Sequence, residues 1–256
     1  MAIVTLTTDF GLQDYYAALV KGALLCAKPD LQIVDVSHHI NNYDIVQAAF
    51  ILRNTWKNFP EGTIHLIGVN DLASAEQRFL GLTHAGHFFI TPDNGLLALL
   101  FDQIEEPVFS LPVPAESSFP IKDVFAQSVW HLTQGQSFDQ FAEPITDMVQ
   151  RITFQPVISP NRIRGAVIYI DQYENVISNI SRELFERVGQ NRAFELYFKR
   201  NDPILKLNRN YYDVAVGETL CLINSADYLE LAINMGKASS MLGLKLEDTI
   251  QIDFKG

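Results

Sequence analysis

Residues 7–22 read Thr-Thr-Asp-Phe-Gly-Leu-Gln-Asp-Tyr-Tyr-Ala-Ala-Leu-Val-Lys-Gly, and they hold the junction of a strand with a helix. Ahead of them, Ala2 to Leu6 is a short apolar, β-branched run of the kind that forms a buried strand. Behind Gly11, Asp14 suits a helix N-cap, and Tyr15, Ala18, Leu19, Gly22 and Ala23 recur at helical spacing. The pattern predicts a turn at Thr8-Asp9-Phe10-Gly11, at the carboxyl end of a strand. In open α/β sheets ligands bind along that edge. A carboxylate such as Asp9 can accept two hydrogen bonds from a vicinal diol, as acidic residues do from a ribose. The same residue also suits an ordinary Asx-turn that reverses the chain. Both readings stay open from the residues alone.

Working outward, Leu31 to Val36 alternates like a second strand, and Ser37 to Asp44 is a polar loop behind it. Ile45, Ala48, Ala49, Leu52 and Trp56 share one helical face. Thr63 to Val69 reads as a third strand, followed by a polar segment, Asn70 to Gln77. Phe79 to Thr83 and His87 to Thr91 suggest a hairpin around Ala85-Gly86. Pro92-Asp93-Asn94-Gly95 is a strong turn signal that opens a helix, Leu96 to Phe101. A further helix is expected over Val124 to Gln134. This alternation predicts an α/β N-terminal domain with a mostly parallel sheet, residues 1–155. Pro156-Val157-Ile158-Ser159-Pro160-Asn161 lacks periodicity, so 156–163 reads as a linker. Beyond it Arg164 to Asp171, Ala193 to Phe198, Thr219 to Ile223, Leu229 to Ile233 and Thr249 to Phe254 are short strands. Residues 164–256 therefore form a smaller, mostly β, barrel-like C-terminal domain.

The chain has 256 residues, 48 per cent of them hydrophobic, which is enough to bury a full core in either one or two domains. Its net charge of −11 argues against a nucleic-acid partner, since no stretch gathers Lys and Arg on a face. No apolar run reaches the length of a membrane span, and no basic region precedes an apolar core at the N-terminus. A cytoplasmic protein without a signal peptide is expected. Cys26 and Cys221 lie far apart in apolar patterns and read as reduced core thiols. The six His residues show no metal spacing, so no metal site is expected.

Four polar clusters stand at loop positions of the first domain: Asp9, 37–44, 70–78 and 92–95. In a parallel sheet such turns gather at one edge, where they could line one pocket. The second domain offers Asp171-Gln172-Tyr173-Glu174-Asn175 with Ser178-Asn179, and Asn224-Ser225-Ala226-Asp227-Tyr228. An amide such as Asn175 can read an adenine edge with its donor and acceptor. No Gly-x-Gly-x-x-Gly, no Walker lysine and no Gly-x-Ser-x-Gly elbow is present, which removes the main support for nicotinamide, nucleotide-triphosphate and α/β-hydrolase chemistry.

In order along the chain stand Thr-Asp-Phe-Gly (8–11), Asp14-Tyr15, Lys21-Gly22, Pro29, Ile33-Val34-Asp35-Val36-Ser37-His38, Ile40, Asp44, Pro92-Asp93-Asn94-Gly95, Asp171, Asn175, Ser178-Asn179-Ile180 and Asn224-Ser225. This series resembles the S-adenosylmethionine (SAM) hydroxide adenosyltransferases, adenosine-forming SAM hydrolases related to fluorinase and chlorinase. The resemblance runs from about residue 3 to about residue 252. It implies an α/β domain followed by a β domain, a homotrimer, and SAM held between the first domain of one subunit and the second domain of its neighbour. Asp9 would hold the ribose hydroxyls and Tyr43 would supply an aromatic ring. Asp171 and Ser225 would meet the amino-acid end, Asn175 would read adenine, and the backbone near Met235 would complete that site. The implied reaction is attack of water or hydroxide at the ribose 5′ carbon, with SAM as substrate and no cofactor.

Family hydrolases position the water with an Asp, an Arg and a His. In place of the family's Asp-Pro-Gly-Val-Gly this chain has Asn70-Asp71-Leu72-Ala73-Ser74. Asp71 and Arg78 keep the family's Asp-to-Arg spacing and are the candidate catalytic pair. Alignment from His65 instead pairs Asn70 with Gln77, so two registers are open. The family's His position holds Pro120, which has no side chain to move a proton. His38, His39 and Lys122 are the nearby residue types able to replace it. Three readings follow: a divergent hydrolase, a non-catalytic adenosine- or SAM-binding protein, and a halogenase.

Overall fold

The apolar run ahead of Asp9 forms strand β1 (Ile3–Thr8), and its side chains alternate as the pleat requires. Val4 and Leu6 enter a core, while Thr5 and Thr7 are buried on the opposite face. The structure, a computed structural model, describes residues 2–71, 77–199 and 202–255. The chain divides into two units, Met1–Ile152 and Thr153–Gly256.

In the first unit β1 is followed by α1 (Tyr16–Ala27), β2 (Gln32–Ser37), α2 (Ile45–Arg53), β3 (Ile64–Gly68), β4 (Phe79–His84), β5 (His87–Pro92), α3 (Leu96–Leu100), β6 (Val108–Leu111), α4 (Pro120–Thr133) and β7 (Glu143–Ile145). The strand order is β2-β1-β3-β5-β4-β6-β7. β2, β1, β3 and β5 run parallel, whereas β4, β6 and β7 each pair antiparallel. The sheet is therefore mixed, not mostly parallel. The Ala85-Gly86 turn, with φ values of 47° and 79°, sets β4 antiparallel to β5, and β6 and β7 then extend that antiparallel side through distant pairings.

Helices cover both faces. Val20 and Leu24 of α1 and Ile121, Val124, Phe125 and Val129 of α4 pack on Leu6, Leu66, Phe79 and Ile90. Ala48 and Leu52 of α2 and Leu96, Leu97 and Leu100 of α3 pack on Ile67, Val69, Leu80 and Phe89. Three local expectations change. α1 begins at Tyr16 behind Tyr15, which makes no side-chain cap, so Asp14 is not the N-cap. α2 ends at Arg53, and Trp56 reaches the same core from a 3₁₀ turn, Trp56–Asn58. α4 starts at Pro120, four residues before the Val124 start expected from sequence, because Ile121 already belongs to its apolar face and proline's missing N–H costs nothing in a first turn.

The second unit contains β8 (Val157–Ser159), β9 (Arg162–Ile170), β10 (Val176–Ser181), α5 (Arg182–Gly189), β11 (Phe194–Phe198), β12 (Leu207–Asn208), β13 (Thr219–Ile223), β14 (Tyr228–Ile233), α6 (Ala238–Leu242) and β15 (Thr249–Phe254). Their order is β11-β15-β9-β10-β14-β13-β12, with β8 on β9. The sheet curls because the first half of β9 pairs with β15 and its second half with β10. Asn179 sits at the change-over. Its Oδ1 accepts the Ala166 N–H at 2.8 Å and its Nδ2 donates to the Phe154 carbonyl at 2.8 Å. Gly165 is required there, since a Cβ would lie 2.5 Å from Asn179 Oδ1. Val157–Ser159, read from sequence as linker, pairs with Arg162–Arg164 as a hairpin. Ser178-Asn179 lies within β10 instead of a loop, and Ser181 caps α5 by accepting the Leu184 N–H.

Cys221 is buried, with its thiol pushed up to about 12 by burial, but Cys26 is exposed on α1 and is not a core thiol. Among the described residues no helix is long and apolar enough to cross a membrane.

A run of polar groups crosses the first unit's sheet on the α2 side. Thr5 Oγ1 lies 2.8 Å from His65 Nδ1, and His65 Nε2 lies 3.2 Å from His87 Nδ1. His65 is fully buried and stacks on Phe89 with ring centroids 4.8 Å apart. Burial, then the neighbouring His87, brings its pKa down to about 3. The folded chain thus keeps His65 neutral, while the unfolded chain protonates it below about 6.5. Stability from this site is complete above that value and falls as pH drops toward 3, by at most about 1.4 kcal/mol per pH unit for one proton. Urea denaturation across this window should give a smaller slope of stability against pH for His65→Gln than for the wild type.

Candidate functional site

Asp9 follows the last residue of β1, where the polar loops of the parallel strands meet. Its Oδ2 accepts the Tyr43 N–H at 2.9 Å and the Asn70 N–H at 3.3 Å. The Asp9 carbonyl lies 3.5 Å from Asn42 Nδ2, and its N–H points to the Gly68 carbonyl at 3.4 Å. Tyr43 and Asn70 have φ values of 68° and 53°, so the left-handed backbone turns both N–H groups inward. Oδ2 is anchored by two backbone N–H groups, and Oδ1 has no donor among the described residues.

The neighbouring turn supports this cradle. Asn94 is buried, and its Nδ2 donates to the Val69 carbonyl at 2.8 Å and the Asn70 carbonyl at 3.1 Å. Its Oδ1 accepts the Leu96 N–H at 3.1 Å and so opens α3. The four polar clusters of the first domain, Asp9, 37–44, the described ends of 70–78 and 92–95, are thus joined by hydrogen bonds. Residues 72–76, the middle of the 70–78 segment, lie outside the described residues.

Asp71 and Arg78 have different surroundings. The Asp71 carboxyl is pushed up by burial, against its own backbone N–H, and pushed further by the charge of Asp9. It is the acidic neighbour of the cradle. Arg78 Nε donates to Asp93 Oδ2 at 2.7 Å, and Nη2 also pairs with that carboxylate. Nη1 donates to Asp147 Oδ1 at 2.9 Å and Nη2 to the Asp147 carbonyl at 3.0 Å. Asp93 Oδ1 accepts the Val149 N–H at 2.9 Å. The guanidinium is therefore spent on tying residues 147–149 to the 92–95 turn.

Of the residue types able to replace the family's histidine, Lys122 pairs with Asp123 at 2.8 Å. Phe119, one residue before Pro120, packs on Phe10 and Tyr16 at centroid distances of 5.8 and 5.7 Å. His39 is exposed, whereas His38 is 3 per cent exposed. Tyr43 keeps its ring at the surface.

Asp171, Asn175, Ser225 and Met235 belong to the second unit. Asp171 Oδ1 accepts the N–H groups of Tyr173 and Asn175 at 2.9 and 2.8 Å, and Oδ2 accepts Asn175 Nδ2 at 3.0 Å. The β9–β10 turn is thus closed on its own carboxylate. Among the described residues, the Asn175 amide oxygen and its second N–H make no further hydrogen bond. The turn carrying Met235 adjoins it, because Lys237 Nζ meets Glu174 at 2.8 Å and the Ser239 N–H meets the Glu174 carbonyl at 2.9 Å. Ser225 is exposed at the opposite end of β14. Between the two turns lies a carboxylate that sequence patterns had hidden inside a strand. Glu230 is buried, accepts the Tyr211 hydroxyl at 2.8 Å and Asn224 Nδ2 at 3.1 Å, and is pushed up by burial. Among the described residues no group of three or more His, Cys, Asp or Glu is placed to hold a metal.

Comparison with known proteins agrees with this architecture. An uncharacterized conserved protein from Thermotoga maritima has the same fold, with a TM-score of 0.87, 24% identity, and coverage of 98% of this chain and 99% of that one. The (R)-S-adenosyl-L-methionine hydrolase of Thermus thermophilus is 29% identical over 96% of this chain and 97% of its own. The enzyme of the same name from Methanocaldococcus jannaschii is 27% identical over 98% and 95%. The model of the SAM hydroxide adenosyltransferase N-terminal domain matches residues 4–142, and that of the C-terminal domain matches residues 165–251. With its sequence matched across both units, the chain belongs to the SAM hydroxide adenosyltransferase family.

Proposed function

We propose that the protein hydrolyses S-adenosyl-L-methionine to adenosine and L-methionine. The observation that carries this reading is the Asp9 carboxylate, anchored through Oδ2 and with no donor to Oδ1 among the described residues, with the raised carboxyl of Asp71 beside it. A ribose presents two adjacent hydroxyls, and a fixed carboxylate is the acceptor they require. The names of the Thermus and Methanocaldococcus relatives support the same substrate.

In this mechanism the oxygen of a water attacks C5′ of the adenosyl group in line with the C5′–S bond. That bond breaks, and sulfur keeps the electron pair as the neutral thioether of methionine. The water's surplus proton passes to the Asp71 carboxylate. Loss of the sulfonium charge makes the leaving group good, so positioning and desolvating the water is the protein's main task, and no cofactor is needed. Arg78 serves the pair indirectly, by holding the 92–95 turn behind Asn70 through Asp93. Asp171 and Ser225 take the amino-acid end, Asn175 takes the adenine edge, the backbone near Met235 completes that subsite, and the Tyr43 ring packs on the ligand. The active species is a homotrimer. Leu12, Tyr15 and Leu19, exposed near the Asp9 turn, supply apolar surface for such assembly.

A second reading is favoured by two observations. Pro120 occupies the position of a proton-moving histidine, and Arg78 is already committed to Asp93 and Asp147. On that reading the protein binds adenosine or SAM without turnover.

Chromatography of SAM incubations, with a parallel binding titration, separates the two. Multiple-turnover release of adenosine and methionine is expected, abolished by Asp9→Ala through lost binding and by Asp71→Asn with binding retained. Tight binding without product would establish the binding protein. Where Asp71 is the base, the rate should rise with pH above the range of an ordinary carboxylate, since its pKa is raised.

Arg78→Met should cost about 3 kcal/mol in denaturant unfolding, because it leaves the buried Asp93 carboxylate without its cation, and Asp93→Asn in the same chain should recover much of it. Sedimentation should give three times the chain mass, and a monomer would overturn the trimer.

A further inference from the structure

Behind Asp9 lies a second set of polar side chains to which the reaction assigns no part. Thr8 Oγ1 is 2.7 Å from His38 Nδ1, and both residues are buried. On the other side of the ring, His38 Nε2 is 3.1 Å from Asp35 Oδ1. This contact is an electrostatic one, since Nε2 is buried and lacks an aligned hydrogen-bond acceptor among the described residues. Asp35 Oδ2 accepts from Lys21 Nζ at 2.6 Å. Burial would raise the Asp35 carboxyl, but Lys21 and His38 together bring it below its ordinary value, which keeps it anionic. The series Lys21–Asp35–His38–Thr8 therefore runs from α1 through the end of β2 to the end of β1.

The same histidine ties down the backbone on both sides of Asp9. Its carbonyl accepts the Gly11 N–H at 2.7 Å. Thr8 Oγ1, held by the ring, lies 3.4 Å from the Phe10 N–H. Five residues further on, Tyr43 gives its N–H to Asp9 Oδ2. Residue 38 thus fixes where the Asp9 carboxylate stands relative to the loop that anchors it. A water-activating group needs a ring nitrogen open to the ligand, and this ring has neither.

We propose that His38, held between Asp35 and Thr8, is a positioning residue that aims the Oδ1 oxygen of Asp9 at the ribose hydroxyls, and that it does not take over the task of the histidine replaced by Pro120. This inference rests on the reading of Asp9 as the diol acceptor. Where Nδ1 accepts the Thr8 hydroxyl proton, the ring's own proton lies on Nε2, toward Asp35.

The test compares adenosine with 2′,3′-dideoxyadenosine by calorimetric titration of the full-length protein. The wild type should prefer adenosine by about tenfold or more, the worth of one well-placed hydrogen bond to a charged group. His38→Leu and Thr8→Val should reduce that preference toward the value of Asp9→Ala, with dideoxyadenosine affinity unchanged. His38→Asn, whose amide can reach Thr8 as Nδ1 does, should restore most of it. A general loosening of the fold would weaken both ligands together and would overturn the inference. So would folded Thr8→Val and His38→Leu proteins that keep the wild-type preference. A His38→Asn protein that keeps the preference yet forms no adenosine from SAM, where the wild type does, would also overturn it by making His38 catalytic. A wild type that binds adenosine without preferring it would instead sink the reading of Asp9 itself. If His38→Leu does not fold, Thr8→Val and His38→Asn carry the comparison.

Discussion

A carboxylate at the end of a buried strand costs free energy unless donors surround it, and the first unit is arranged around that requirement. Asp9 meets it with backbone N–H groups from two other loops, which do not titrate and have no rotamer to change. The parallel strands β1, β2 and β3 bring those loops to the same edge. Asn94 holds the Asn70 peptide from behind, and Arg78 holds the Asn94 turn through Asp93. Each shell is fixed by the next, so the reactive edge is built mostly from main chain.

The second unit uses the same device on a smaller scale. Asp171 closes its own turn by accepting three hydrogen bonds from residues 173 and 175. Glu230, two strands away from β9, links the Tyr211 hydroxyl and the Asn224 turn through one buried carboxylate. The two turns at opposite ends of β14 are thereby spaced by a rigid strand, not by a loop.

Much of this was legible in the sequence. Thr8-Asp9-Phe10-Gly11 sits between an apolar run and a helical repeat, and that local contrast places Asp9 at a strand end. The Ala85-Gly86 hairpin and the Pro92-to-Gly95 turn are equally local, and both stand where the pattern puts them. What sequence patterns missed depends on distant partners. The antiparallel half of the sheet arises because β4 and β6 pair across a long connection. β10 was hidden because Ser178 and Asn179, polar residues in a strand, bond the Leu229 carbonyl and the β9 backbone. Arg78 looked available in the sequence because nothing local announces Asp93 and Asp147 as its partners. His38 and His39 are adjacent and chemically alike, yet alternation buries one beside Thr8 and exposes the other.

The cradle around Asp9 also has a consequence for how the chain reaches its native state. Its two anchoring bonds join residues 34 and 61 positions apart, whereas the β4–β5 hairpin closes across two residues. Closing the longer loops loses more chain entropy, and non-local contacts reward the chain late. The hairpin can therefore form early from its own residues, while the cradle waits until β1 and β3 are paired. Ligand-binding competence is then a late acquisition on the folding pathway, and its appearance would report completion of the parallel half of the sheet.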